Sequence, residues 1–326
     1  MKVVRTVAEA RAALGGLPRP LGFVPTMGAL HDGHLALVAA ARTRCACVAA
    51  SIFVNPTQFA RGEDFDRYPR DEARDLRLLE EAGVAVVFTP EADEMYPDGF
   101  ATGVHVGGHL TEDFEGASRP GHFDGVAVIV AKLLGVVRPD VLFLGEKDAQ
   151  QLAVVRRLAR DLDLPVEVAG VPTLREPDGL AMSSRNVYLT PAEREVAPGL
   201  YRALQAGVSA AQADGAAAKD VVASALGALF PAAPADPDEV DDALARPLFE
   251  LDYLAVVDED TFVPEGHLGP RSRLVVAARL GSTRLIDTIA VAVPVTGRPI
   301  PASPDAPTLF SAYPAQDATS AEGRTS

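Results

Sequence analysis

The sequence predicts an α/β protein: a doubly wound parallel sheet, followed by a second, smaller α+β domain. Three observations predict it. Apolar runs short enough to be strands alternate with helical stretches over about the first 175 residues. One of them, CACVAASIFVN at 45–55, is apolar almost throughout, as a strand buried on both faces of a parallel sheet must be. The unusual polar residues gather just after the apolar runs, and sheets of this kind bind ligands beyond the carboxyl ends of their strands.

Taken in order, residues 1–20 read as a short strand, a helix from Thr6 to Leu14 and a Gly/Pro turn. A strand ending near Pro25 follows, then a small-residue turn and a helix from Gly33 to Arg42. The 45–55 run is the next strand. A polar loop leads to a helix from Pro69 to Ala82, and VAVVFTP (84–90) is again strand. Residues 125–162 read as helix, strand, loop and helix, and VEVAGVPTLRE (166–176) supplies a further strand. Composition then shifts. Residues 191–230 are Ala-rich and helical in pattern, 231–238 (PAAPADPD) are breakers, and LDYLAVVDED and SRLVVAARLGSTRLIDTIAVAV read as strands of the smaller domain. From Pro294 the chain is rich in Pro, Ala, Ser, Thr and Asp and is expected to be disordered. The expected division is therefore 1–185, 186–293 and a tail of 294–326.

Composition narrows the function classes. A chain of 326 residues, 48% hydrophobic and 23% charged, suits about two globular domains. Its net charge of −15 argues against nucleic acid as a partner, because phosphate attraction supplies most of that affinity. An anionic substrate remains compatible if one cleft gathers Lys, Arg and His. Cys45 and Cys47, two apart on an expected strand, should share a face as reduced thiols, and no Cys/His cluster suggests zinc. The opening MKVVRTVAEARAAL lacks an apolar signal core, and no uncharged apolar stretch approaches the roughly 18 residues of a membrane helix, so a cytoplasmic protein is expected.

Five segments can carry chemistry. PTMGALHDGH places His31 and His34 at a helix start after a strand, where free N–H groups and the helix dipole favour phosphate; two histidines three apart share a helical face. LFLGEKDAQQ repeats the strand-to-helix arrangement, with Lys147 as a charge for phosphate, Asp148 as a hard oxygen ligand for Mg²⁺ and Gln151 as an amide. GLAMSSRN offers Met182, Ser183, Ser184 and Arg185 in a loop. SIFVNPTQF sets Asn55 and Gln58 between Phe53 and Phe59, suited to a small branched hydroxy acid. FEGASRPGHFDGV carries Glu115, Arg119 and His122. Each also has an ordinary explanation as a helix cap, a turn or a linker, and the histidine pair alone also leaves a metal site open.

Taken together, PTMGALHDGH, NPTQF, EDFDRYP, RPGHFDGV, GEKDAQQ and DGLAMSSRNVYL, in this order, resemble the pantothenate synthetase family. The resemblance runs from Val24 to Leu189 and resumes weakly at LDYLAVVD and RLVVAARLGSTRLIDTI. It implies a Rossmann-like fold of the nucleotidylyltransferase superfamily, with His31 and His34 matching the HIGH-type signature and residues 182–186 the KMSKS type. It implies ATP contacts from Met27, His31, His34, Gly145, Lys147, Asp148, Met182, Ser183, Ser184 and Arg185. Pantoate is implied against Met27, Gln58 and Gln151, with Phe53 and Phe59 as walls, and Asn55, Tyr68, Glu115 and Arg119 at the pocket or its gate. The implied reaction condenses pantoate with β-alanine through a pantoyl adenylate, with ATP and Mg²⁺, in a homodimer. His31, His34, Lys147 and Arg185 are then the electrostatic stabilisers, and the turns are expected to converge into one cationic cradle for a triphosphate. One departure is visible: Ala149 stands where the family pattern has an aromatic.

The same signatures fit a nucleotidylyltransferase with a dinucleotide or CDP-linked product, and a non-catalytic nucleotide-binding relative. A tRNA-charging enzyme fits less well with the charge of −15.

Overall fold

In the computed structural model, which describes residues 1–60, 62–230 and 249–291, the chain opens with β1 (Lys2–Val4) and α1 (Val7–Leu14). Next come β2 (Leu21–Thr26), α2 (Asp32–Arg44), β3 (Cys47–Ile52), α3 (Glu72–Glu81) and β4 (Val86–Phe88). Three one-turn helices follow, α4 (Ala92–Met95), α5 (His109–Glu112) and α6 (Glu115–Ser118). The first part ends with α7 (His122–Val137), β5 (Val141–Gly145), α8 (Ala149–Asp161) and β6 (Glu167–Val171). The breaker-rich stretch 231–238 and the tail from Pro294 lie outside the described residues.

Every neighbour pair in the six-stranded sheet β1-β4-β3-β2-β5-β6 is parallel. From β2 the chain winds outward through β3 and β4; it later returns to β5 on the other side of β2 and continues to β6. The strand order thus reverses between β2 and β5, and a crevice opens where their carboxyl ends part. That crevice positions the site.

Strand alternation supplies both layers. Leu21, Phe23, Leu142 and Leu144 face a core with α1, α7 and α8, while Val24, Val141 and Phe143 face a second core with α2 and α3. The expectation for the cysteines is corrected here. Cys45 lies before β3 as the residue that ends α2 and packs on the α2 side; Cys47 opens β3 and packs on the other. Both are free thiols on opposite faces.

The smaller part is built from α9 (Pro191–Val196), α10 (Gly199–Ala210) and α11 (Ala218–Leu229) on an antiparallel sheet of β7 (Phe249–Asp258), β8 (Ser272–Leu280) and β9 (Thr283–Ala290). Leu200, Leu204 and Val221 bury one face of that sheet with Leu274, Val276 and Ala278. The opposite face meets the first part: Ala149, Ala153 and Val154 of α8 share a core with Val257, Phe262 and Val275. Ala149 is buried in this core with Phe123 and Phe262, and all three border a cavity of about 230 Å³; nothing in the structure explains the small residue at this position.

Candidate active site

The turn after β2 is held rigidly. Thr26 Oγ1 donates to the Ser51 carbonyl (2.7 Å) and accepts from Gly28 N–H (3.2 Å). Asp75, buried on α3, accepts from the Ala29 and Leu30 amides at 2.8 and 2.9 Å. Gly28 is required twice over: its φ is +79°, and a Cβ there would stand 2.9 Å from the Asp75 carboxylate.

His31 then caps α2. Its Nδ1 accepts from Gly33 N–H (3.1 Å), and His34 Nδ1 accepts from His31 N–H (3.3 Å). Gly33 leaves the space for this, since a Cβ would come within 2.8 Å of the His31 ring. An Nδ1 that accepts carries no proton, so both rings are held as the tautomer with hydrogen on Nε2. Among the described residues no protein group takes either Nε2–H, and both residues line the cavity. Burial, and after it the Lys147 charge, pushes the His31 pKa down to about 4; burial, His31 and Lys147 push His34 to about 3. At neutral pH the pair is uncharged and donates.

The end of β3 forms the adjoining wall. Asn55, buried, gives its amide to the Gly125 carbonyl and to Gln58 Oε1, both at 3.1 Å, and its Oδ1 accepts from Tyr96 (2.7 Å) and Thr57 (2.9 Å). With its bonds spent on protein groups, Asn55 orients Gln58, whose Nε2 lies 3.0 Å from Met27 Sδ. Behind it, His122 Nδ1–H donates to the Gln58 carbonyl (2.8 Å), and Arg119 donates to the same oxygen (3.1 Å) and to His122 Nε2 (3.2 Å). Burial, followed by the Arg119 charge, lowers the His122 pKa to about 4.

Across the crevice, β5 delivers Gly145, Lys147 and Asp148, and α8 delivers Gln151. The Lys147 ammonium stands 3.6 Å from Asp148. The 182–188 segment closes the rim: Ser184 donates to the Ala29 carbonyl (3.2 Å) and Ser183 caps its own turn through Arg185 N–H (3.3 Å). Arg185 is bound bidentately to Asp64, both bonds at 2.9 Å.

Met27, His31, His34, Phe53, Asn55, Gln58, Phe59, Tyr68, Arg119, Gly145, Lys147, Asp148, Gln151, Met182, Ser183, Ser184 and Arg185 all line one cavity of about 240 Å³. This is the crevice at the β2/β5 reversal.

Comparison with known proteins decides the family. The profile described as pantoate-beta-alanine ligase matches residues 2–290. The chain belongs to the pantoate-beta-alanine ligase family. It is 53% identical over 293 residues to the pantothenate synthetase of Thermus thermophilus, covering 89% of this chain and 99% of that one. It is 54% identical over 296 residues to that of Acidiphilium cryptum, covering 89% and 100%. The crystal structure of the Thermus thermophilus enzyme superposes with a TM-score of 0.81 at 51% identity, covering 90% and 100% of the two chains. The Francisella tularensis pantoate-beta-alanine ligase, solved in complex with beta-gamma ATP and beta-alanine, gives 0.70 at 31% identity, covering 89% and 98%.

Two sequence expectations are refined by this geometry. Glu115 lines an adjoining cavity of about 230 Å³ that shares Arg119, Lys147, Asp148, Gln151, Ser183 and Arg185 with the first. It is buried there, bonded to Arg284 (2.6 and 2.9 Å) and to Tyr253 (2.8 Å), and so ties the first part of the chain to the small sheet. The cradle is not cationic as it stands: the imidazoles are neutral, and Lys147, Arg119 and Arg185 each have a carboxylate neighbour in Asp148, Glu63 and Asp64. Thr26, Asp75, Glu63, Asp64 and the positioning part of His122 were missed. Asp75 reads in sequence as one more acid on a charged helix, and the partners of Glu63 and Asp64 are far away in the chain.

Proposed function

We propose that this cavity condenses pantoate with β-alanine at the expense of ATP, through a pantoyl adenylate that is never covalently attached to the protein. One observation carries the reading: two neutral Nε2–H donors from the β2 turn face the same crevice as the Lys147 ammonium from β5, with the amides of Gln58 and Gln151 on its walls. In the first step the pantoate carboxylate attacks the α-phosphorus and pyrophosphate leaves. In the second the β-alanine amine attacks the activated carbonyl, AMP leaves and the amine proton is lost.

The first step brings an anion onto a polyanion, so positioning and charge cancellation matter more than a base. His31 and His34 donate to phosphate oxygens, Lys147 and Arg185 oppose their charge, and Met27, Gly145, Asp148, Met182, Ser183 and Ser184 complete the nucleotide side. Gln58 and Gln151 hold pantoate between Phe53 and Phe59, with Tyr68 and Arg119 at the gate and Asn55 setting Gln58. A hydrolysable acyl phosphate calls for exclusion of water, which falls to the 182–186 loop closing against the smaller domain, 186–293.

Among the described residues no group of three or more His, Cys, Asp or Glu forms a metal site. A single carboxylate, Asp148, fits Mg²⁺ that arrives already bound to the ATP phosphates, where it would neutralise charge. A cytoplasmic homodimer completes the proposal; no described helix is long and apolar enough to cross a membrane.

The test is ATP–pyrophosphate exchange with and without pantoate, followed by AMP release on adding β-alanine. Exchange that ignores pantoate, or an adenylate that β-alanine does not discharge, would point to a nucleotidylyltransferase instead.

A further inference from the structure

The loop that carries EDFDRYP presents two neighbouring carboxylates, and each is bound bidentately by a guanidinium of the cavity wall. Glu63 takes Arg119 at 2.8 and 2.6 Å; Asp64 takes Arg185 with both bonds at 2.9 Å. The Asp64 side chain is only 11% exposed and that of Arg185 31%, so the pair is screened by protein on most sides. The same loop is fastened to the 183–188 segment again, by Tyr188 donating to the Arg67 carbonyl (3.1 Å) and by the Arg185 guanidinium over the Tyr68 ring (6.0 Å). Burial alone would raise the Asp64 pKa, but the Arg185 hydrogen bonds and charge outweigh it and hold the carboxyl below its ordinary range, so it stays ionised.

A carboxylate bound by both arms of a guanidinium occupies the donors that a phosphate would use, because the two anions offer the same pair of oxygens. We propose that Asp64 is an internal competitor of the nucleotide: it holds Arg185 while the site lacks ATP and gives it up when a phosphate group takes those donors. This rests on the functional reading above. Release of Arg185 also frees Asp64, and with it one fastening of the 62–68 loop, so arrival of the polyanion and movement of the loop become one event. When pyrophosphate departs, Asp64 recaptures Arg185 and speeds its loss.

The test uses the full chain and ATP alone, without pantoate, measured by titration calorimetry. Asp64→Asn, isosteric and unable to pair as an anion, should bind ATP about fivefold more tightly, the scale of one partly screened ion pair. Pyrophosphate should tighten likewise, while the pantoate KM stays unchanged. Asp64→Ser, with a parental unfolding temperature, should do the same. Asp66→Asn removes an equal charge from the same loop and should leave ATP affinity as it is. Equal or weaker ATP binding in the Asp64 variants would show that Asp64 presents Arg185 to the nucleotide rather than withholding it, and would overturn the proposal. An equal gain in Asp66→Asn would overturn it too, by reducing the effect to general repulsion. A parental chain that binds no ATP would remove the site reading itself, a distinct result.

Discussion

His31 performs two tasks with one ring, and they can be separated. Its Nδ1 caps α2 by accepting from Gly33 N–H at 3.1 Å, while its Nε2–H, on the far edge of the ring, faces the cavity. Asparagine is among the best helix caps and its Oδ1 reaches the same amide, but it has no donor where Nε2 stands. His31→Asn should therefore change stability by only a few tenths of a kcal/mol, while turnover falls by roughly 10²–10³, about 2.7–4 kcal/mol, as for removal of one preorganised donor. His31→Ala loses the cap as well and should cost a further ~1 kcal/mol of stability at a similar loss of rate. Thermal unfolding gives the first quantity and pantoate-dependent ATP–pyrophosphate exchange under saturating substrates the second. Turnover at the parental rate in His31→Asn would refute the reasoning, since the ring would then be a cap and nothing more.

Acid stability follows from three desolvated imidazoles, His122 buried and His31 and His34 half-buried. His31, His34 and His122 are depressed from 6.5 to about 4, 3 and 4, so below pH 6.5 the unfolded chain takes up protons that the folded chain refuses. Their contribution is fully present above pH 6.5 and is lost progressively as pH falls toward 4, so the unfolding temperature should drop across that window; a flat profile there would contradict the neutral assignment. At Gly125 a Cβ would stand 2.2 Å from the Thr57 carbonyl oxygen. Gly125→Ala should therefore cost ~1–3 kcal/mol in urea unfolding, as overpacking does, and raise the pantoate KM by displacing the Asn55–Gln58 turn. Parental values of both would mean that this close approach does not hold Gln58.

The sheet and most of the cavity were legible in the sequence because they depend on local patterns. Apolar runs mark β2, β3 and β5, and the polar turns after them must lie at the strand ends, so His31, Gln58 and Lys147 come together once the strands are parallel neighbours. What stayed hidden depends on distant pairs. Glu115 sits in a motif with Arg119 and borders the pocket with it, but its partner Arg284 is 169 residues away and no spacing announces that bond. Asp64 and Arg185, 121 residues apart, are equally silent. The histidine pair was visible, but its charge was not: neutrality comes from desolvation and from the Lys147 charge, which only the folded crevice supplies. The cysteines misled because β3 starts at Cys47, leaving Cys45 on the end of the preceding helix.

Helix α8 begins one residue after Asp148 and is anchored on two sides, to the parallel sheet through Leu152, Val155 and Leu158 and to the small sheet through Ala149, Ala153 and Val154. Sliding the small sheet away from β5 would expose that second seam to water at about 25 cal/mol for every Å² of apolar surface. The ammonium of Lys147 is in this sense a fixed post, bolted where two bodies of the molecule join. Shutting the crevice is then least costly when the thin segments on its rim swing toward the post, and those are the ones carrying Asp64 and Arg185.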